Sequence, residues 1–417
     1  MQATAAGPRA QETEYAPGRW PMLALICAGV VGVMTTWFSA TAILPELVRA
    51  WALSPAAAAW LTNAVQGGFV IGALGASLVN LPDIMRMQRL MTLAALLAAA
   101  ANLALLLAPT PAAAILARAV TGLALAGVYP PAVKLMATWF RRGRGLALGA
   151  LIAALTLGSS MPHLVRALSG GVAWQVVVVV TSLLAAGSAA IFALMVREGP
   201  HGFGRATFDP RQCLQVLRDR PVFYANLGYF GHMWELYAMW AWILAFAAAA
   251  REAGLSPFPA GTPSMLAFAV VASGAAGCLA AGWLSDRIGR CRTTAAMMAV
   301  SGLSALAIGV AFDGPGWLLL LVAVIWGMSV IGDSAQFSAA VTELAEPRLV
   351  GTALALQMGI GFGLTLVAIQ TVPLMAAALG GWQWAFAILV PGPVIGAWAM
   401  LRLRRLPEAA RMAHGAR

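Results

Sequence analysis

A handful of ionisable side chains stand inside stretches of this sequence that are otherwise apolar. In Tyr229-Phe230-Gly231-His232-Met233-Trp234-Glu235, His232 and Glu235 are three residues apart, so on a helix they share a face, which continues to Trp242. A carboxyl group in such surroundings is costly unless it is protonated or paired, and an imidazole beside it can share the proton. The chemistry this suits is proton carriage. A structural pairing of Glu235 with His232 or with Arg118 is the alternative. Further on, Gly332-Asp333-Ser334-Ala335-Gln336-Phe337 places Asp333, Gln336 and Phe337 at helical spacing, suited to binding a donor-bearing solute or holding a second proton.

Two cations complete the set. Arg118, in Arg118-Ala119-Val120-Thr121-Gly122, must find a carboxylate, carbonyls or water for its guanidinium. Lys134, the single lysine, follows Pro130-Pro131; its ammonium can attract an anionic group, or its stem can reach back to the membrane surface. Two carboxylates and two cations balance, so the inventory favours neither anions nor cations. The four histidines and four cysteines have no metal-ligand spacing and no phosphate-binding loop is present, so no metal, no cofactor and no enzyme chemistry is expected.

The elements that must position these groups are membrane helices. Apolar residues make up 61% of the 417 and charged residues only 10%, with a mean hydropathy of +0.82; a soluble domain carries about 25% charged residues. Hydropathy predicts twelve spans, at 21–44, 56–80, 90–108, 112–138, 145–166, 173–196, 221–248, 263–283, 293–311, 317–343, 350–376 and 383–402. Apart from Arg118, every arginine but Arg49, Arg166 and Arg251 falls in the segments on one side, and this bias places both termini in the cytoplasm. The arginines are scattered over short loops and not gathered on one face, which explains the net charge of +11 without nucleic acid.

The expected organisation is a cytoplasmic segment over 1–20, a six-helix half over 21–196, a linker over 197–220, a second half over 221–402 and a tail over 403–417. In the linker, Asp209-Pro210 starts a short amphipathic helix with Cys213, Leu214 and Leu217 on one face. The halves echo each other: Arg144-Gly145 opens span five, and Arg348 with Gly351 opens span eleven.

Between spans eight and nine stands Gly282-Trp283-Leu284-Ser285-Asp286-Arg287-Ile288-Gly289-Arg290. This resembles the signature loop of the major facilitator superfamily, and with twelve spans the resemblance covers the chain from first span to last. It implies an all-helical fold of two six-helix repeats and a loop that locks one face closed, here Gly282, Asp286, Arg287, Gly289 and Arg290, with Glu343 at the inner end of span ten joining it. The glycines permit a tight turn, and Asp286 is placed to accept from Arg290. The matching loop after span two departs from the pattern, with Asn80 where the family has aspartate. In span four the resemblance implies that Arg118 lies inside the bundle and is linked to proton transfer. The family's antiporter motif is broken in span five by Pro162-His163.

The expectation is a secondary transporter of a small polar metabolite, organic anions included, working by proton-coupled alternating access in the cell inner membrane. Glu235, His232, Asp333, Gln336, Lys134, Arg118, Tyr229 and Trp242 are its candidate substrate or proton residues. Export of a drug or siderophore-like compound is one alternative, and a non-transporting sensor or scaffold of the same fold is another. Partners are expected to be the lipid bilayer, the solute and protons, with the chain a monomer.

Overall fold

The computed structural model describes residues 16–79, 81–140, 143–169, 173–201, 210–254 and 262–415. Asn80, Arg9, Arg141, Arg142, Arg205, Asp209 and Arg417 lie outside the described residues.

Among the described residues, eleven helices are long and apolar enough to cross a bilayer, and Arg19–Met34 is a shorter apolar helix. That helix is the start of span one, which is interrupted at Thr35–Phe38 and continues through Ser39–Ala42 and Leu44–Trp51. Span two is Pro55–Leu78 and span three Met87–Leu103. Span four is Pro111–Ala126 and, after an interruption, Tyr129–Trp139. Spans five and six are Arg144–Leu168 and Gln175–Leu194. Spans seven, eight and nine are Arg220–Glu252, Pro263–Ile288 and Arg290–Ala311. Span ten is Gly316–Gly332, interrupted at Asp333, then Ser334–Leu344. Span eleven is Val350–Ala378, and span twelve runs from the tight turn Ala385–Leu389 into Pro391–Arg404. An even number of crossings leaves both termini on one face of the bundle, called here the terminal face, with the distal face opposite.

The packing repeats. Span two lies on span four, three on six, one on six and three on four; eight lies on ten, nine on twelve, seven on twelve and nine on ten in the same way. The two six-helix repeats meet where span five crosses span eight and span two crosses span eleven. In lipid there is little apolar driving force between helices, so close approach rests on small residues. A methyl group at Gly122 would strike the carbonyl of Val65 and one at Gly68 that of Ala119, so spans two and four touch backbone to backbone. Gly277 against Met328 and Gly327 against Val270 make the matching seam between spans eight and ten.

The interruptions have local causes. In span four the backbone tightens to i+3 bonds, Gly127 N–H to Ala124 at 2.8 Å and Val128 N–H to Leu125 at 3.0 Å, and Pro130 and Pro131 then occupy the first turn of the next helix, where they need no donor partner. In span ten Gln336 N–H reaches Asp333 C=O at 2.9 Å. The linker helix Cys213–Arg218 packs on spans seven and eleven. Val216 is the buried residue while Leu214 and Leu217 are exposed, because a six-residue helix is oriented by what it docks on.

Candidate functional site

The interruption in span ten presents Asp333 to span seven. His232 Nδ1 lies 2.8 Å from Asp333 Oδ1, with both side chains almost fully buried. The imidazole packs between the rings of Tyr229 and Phe337, at centroid distances of 6.0 and 5.5 Å, and its Nε2 has no hydrogen-bond partner. Tyr229 in turn packs against Gly361 of span eleven. An imidazolium and a carboxylate at this distance form an ion pair, and the unpartnered Nε2 is a further position at which the ring can carry or release a proton.

Glu235, one turn further along span seven, has a different partner. Its Oε1 accepts from Trp326 Nε1 of span ten at 2.7 Å, and Trp326 packs edge-on against Phe386. Glu235 therefore sits inside the second repeat and is paired with neither Arg118 nor His232. Trp242 is likewise engaged within that repeat, where its Nε1 donates to Ile369 C=O at 2.8 Å and its ring packs on Trp382. Lys134 lies half-buried on the terminal-face segment of span four.

Arg118 is held inside the first repeat. Its Nη1 donates to Thr36 C=O at 2.9 Å, to Ser39 Oγ at 3.0 Å and to Asn102 Oδ1 at 3.0 Å, and its Nη2 donates to Trp37 C=O. Asn102 passes the network on to Thr181 and Ser182 of span six, at 3.0 and 2.9 Å. The carbonyls that Arg118 caps are those released where span one is interrupted, so the guanidinium takes the place of the missing helical donors. Asn102 and Ser39 escaped sequence reasoning because nothing in the sequence places them beside Arg118.

At the terminal face, Arg290 donates to both carboxylate oxygens of Glu343, at 2.8 and 2.6 Å, and to Gln336 Oε1 at 2.7 Å. Ser285 Oγ donates to that same Gln336 oxygen at 2.6 Å. Gln336 thus belongs to the signature loop and not to a solute-facing wall, and Arg290 is taken up by Glu343 where the sequence suggested Asp286. Asp286 instead reaches the other repeat: a Cβ at Gly145, in the first turn of span five, would stand 3.6 Å from its Oδ1. Gly282 faces the same Gly145. Gly289 turns the chain with φ +90°, a conformation open to glycine, and Arg287 lies 3.7 Å over the ring of Trp283. The tail Pro407–Gly415 docks on this cluster, with Ala413 N–H donating to Glu343 at 3.1 Å.

Between the repeats, near the middle of the spans, aromatic rings close the centre. Trp37 and Phe69 from the first repeat meet Tyr237 and Phe362 from the second, with Trp37 stacked on Tyr237 at 5.7 Å and Phe69 tilted against Phe362 at 4.7 Å. Beyond them a cleft of about 410 Å³ opens between spans one, two, seven and eleven, lined almost wholly by apolar side chains such as Leu44, Val48, Trp242 and Trp382. Of the four ring residues the sequence singled out only Tyr237, in the aromatic-rich span seven; Trp37, Phe69 and Phe362 did not stand out, because aromatics in a membrane span are ordinary core residues until their partners are known.

A bundle of two like six-helix repeats, with buried polar groups at its interruptions and a charged latch at one face, defines a multi-pass membrane protein of the secondary-transporter class, not an enzyme. The family model of the Major Facilitator Superfamily matches residues 25–365, and the chain belongs to that superfamily. Among solved structures it is similar in fold to a bacterial homologue of the human lysosomal transporter Spinster in an inward-facing, unoccupied conformation, with a TM-score of 0.69 and 15% identity over 93% of this chain and 97% of that one. The occupied, inward-facing form of that homologue matches with the same values. No curated protein matches the chain in sequence.

Proposed function

We propose that this chain moves a small organic metabolite across the cell inner membrane by proton-coupled alternating access, with both termini in the cytoplasm. The observation that carries the coupling is the buried His232–Asp333 contact of 2.8 Å at the interruption of span ten. A group that must alternate between protonated and deprotonated forms needs a partner in each, and this pair offers one at bilayer depth. Glu235, Arg118, Tyr229 and Lys134 are assigned supporting roles: Glu235 and Arg118 hold helices within their repeats, Tyr229 frames the imidazole, and Lys134 lines the terminal-face segment of span four. Asp286, Arg287, Arg290, Gly282, Gly289, Glu343 and Gln336 are assigned to the gate at the terminal face. The orientation rests on the one-sided arginines of the loops.

The apolar distal cleft and the aromatic closure favour a second reading, outward movement of a more hydrophobic drug- or siderophore-like compound.

The test is a thermal-shift screen of the detergent-purified protein against metabolites and antibiotics, since a ligand of the native state raises its apparent stability. Hits are then added to proteoliposomes carrying a pH-sensitive dye. Solute-driven proton movement that disappears in Asp333→Asn is expected. Transport with no proton movement would remove the coupling, and the nature of the hits separates the two readings.

A further inference from the structure

Resting on the transport reading, the closed centre between the repeats also indicates what kind of solute it admits. Spans two and eleven, which face each other across the repeats, carry no charged residue over Pro55–Leu78 and Val350–Ala378. They carry amides. Asn63 Nδ2 of span two donates across the junction to Leu366 C=O of span eleven at 3.1 Å, so this face of span two is the one turned to the second repeat. Gln66 stands one turn along that face and Phe69 one turn further.

Gln66 is fully buried, and neither its Nε2 nor its Oε1 has a hydrogen-bond partner. The same holds for Asn63 Oδ1, for the indole N–H of Trp37 and for that of Trp240, whose ring packs 5.7 Å from Tyr237. Buried polar atoms are nearly always paired, and an unpaired amide loses stability that an apolar residue of the same shape would keep. A donor and an acceptor left open on one amide form a recognition edge, and Trp37, whose ring packs 5.0 Å from Phe69 one turn along, carries a further open donor. The rings of Trp37, Phe69, Tyr237 and Phe362 supply flat apolar walls beside it, with centroids 4.7 to 6.1 Å apart.

We propose that the junction of spans one, two, seven and eleven is a binding site for an uncharged, ring-bearing solute whose edge carries both a hydrogen-bond donor and an acceptor, as in a carboxamide, a lactam or a nucleobase. Gln66 pairs with that edge, Trp37 supplies a further donor, and the ring packs against the face of the aromatic cluster. A carboxylate fits poorly: it brings a charge to a place where spans two and eleven offer none to meet it, and it lacks the donor that Gln66 Oε1 needs.

Three matched pairs test this: benzamide with benzoate, nicotinamide with nicotinate and uracil with orotate, applied to the purified full chain in a thermal-shift assay. At least one uncharged member should raise the melting temperature while its carboxylate partner does not. Gln66→Leu should raise the melting temperature of the ligand-free protein and weaken the responding ligand about tenfold or more, the loss expected for one well-formed hydrogen bond to a buried group. Trp37→Phe, which keeps an aromatic ring and removes the donor, should weaken the same ligand, read as a smaller melting-temperature shift measured against that variant's own ligand-free value. Carboxylates that stabilise as well as the amides, no response to any uncharged member, or a Gln66→Leu protein that is less stable or fails to fold would each overturn the assignment. Proton movement in proteoliposomes separates this from the transport reading. An uncharged ligand that binds without moving protons leaves the site standing and removes the coupling, and a carboxylate that binds and moves protons does the reverse.

Discussion

Trp326 Nε1 donates to Glu235 Oε1 at 2.7 Å, and this bond ties spans seven and ten together inside the second repeat. Trp326→Phe keeps most of the ring and strips the carboxyl oxygen of its donor, so it should lower stability by about 1–3 kcal/mol, the usual loss for an orphaned buried acceptor. Glu235→Gln retains an oxygen for the indole and should lose less. Melting temperatures of the two variants in detergent check the order; a larger loss in Glu235→Gln would place another partner on the carboxyl group.

Asp333→Asn removes the acidic member of the pair with His232 while keeping its size. Accumulation driven by a proton gradient should disappear, and exchange of labelled solute for unlabelled solute should persist, because exchange returns the carrier in the loaded form. Wild-type accumulation in proteoliposomes of this variant would move the coupling elsewhere.

Arg118→Leu deprives the Trp37 carbonyl of its side-chain donor at the interruption of span one and leaves the Thr36 carbonyl with Ser39 Oγ alone, at 3.2 Å. The expected loss is about 1–3 kcal/mol, chiefly for the buried Trp37 carbonyl. Arg118→Lys keeps the charge and one bonding direction and should fall between wild type and Arg118→Leu. Thermal melts rank the three proteins.

The architecture was legible in the sequence and the side-chain partnerships were not. Twelve spans could be read because about twenty apolar residues in a row have one physical explanation, and most helices begin and end within a few residues of the hydropathy limits, though span one continues past 44 to Trp51 and span eight past 283 to Ile288. Glu343 pairs with an arginine of the signature loop, since a carboxylate at a helix end close to several arginines has few other options. Gln336 went to Arg290 and Ser285, and Glu235 to Trp326, because those partners are 46 to 91 residues away in the chain. The interruption of span one was invisible, as Thr-Thr-Trp-Phe carries no breaker; it exists because Arg118, from another helix, satisfies the carbonyls it releases.

Gly122→Ala should damage assembly out of proportion to one methyl group. The new Cβ meets the Val65 carbonyl with no flexible side chain to yield, so spans two and four must separate along their length. A loss of about 1–3 kcal/mol is expected, as for other overpacked interiors. Gly363→Ala, where a Cβ meets open space, is the control and should leave the melting temperature unchanged.

Spans four and ten are each divided into a distal rod of 16 or 17 residues and a terminal-face rod of 11. The glycine seams at Gly122 and Gly327 grip only the distal rods. Each repeat therefore contains a stiff clamp and a short lever joined at a pivot, and the two levers are equal in length. A change at the charged latch can be absorbed as a swing of these levers, breaking few backbone bonds and leaving the clamped helices in register. Under the proposed alternating access, equal levers in the two repeats share the motion between them, so neither repeat has to deform alone.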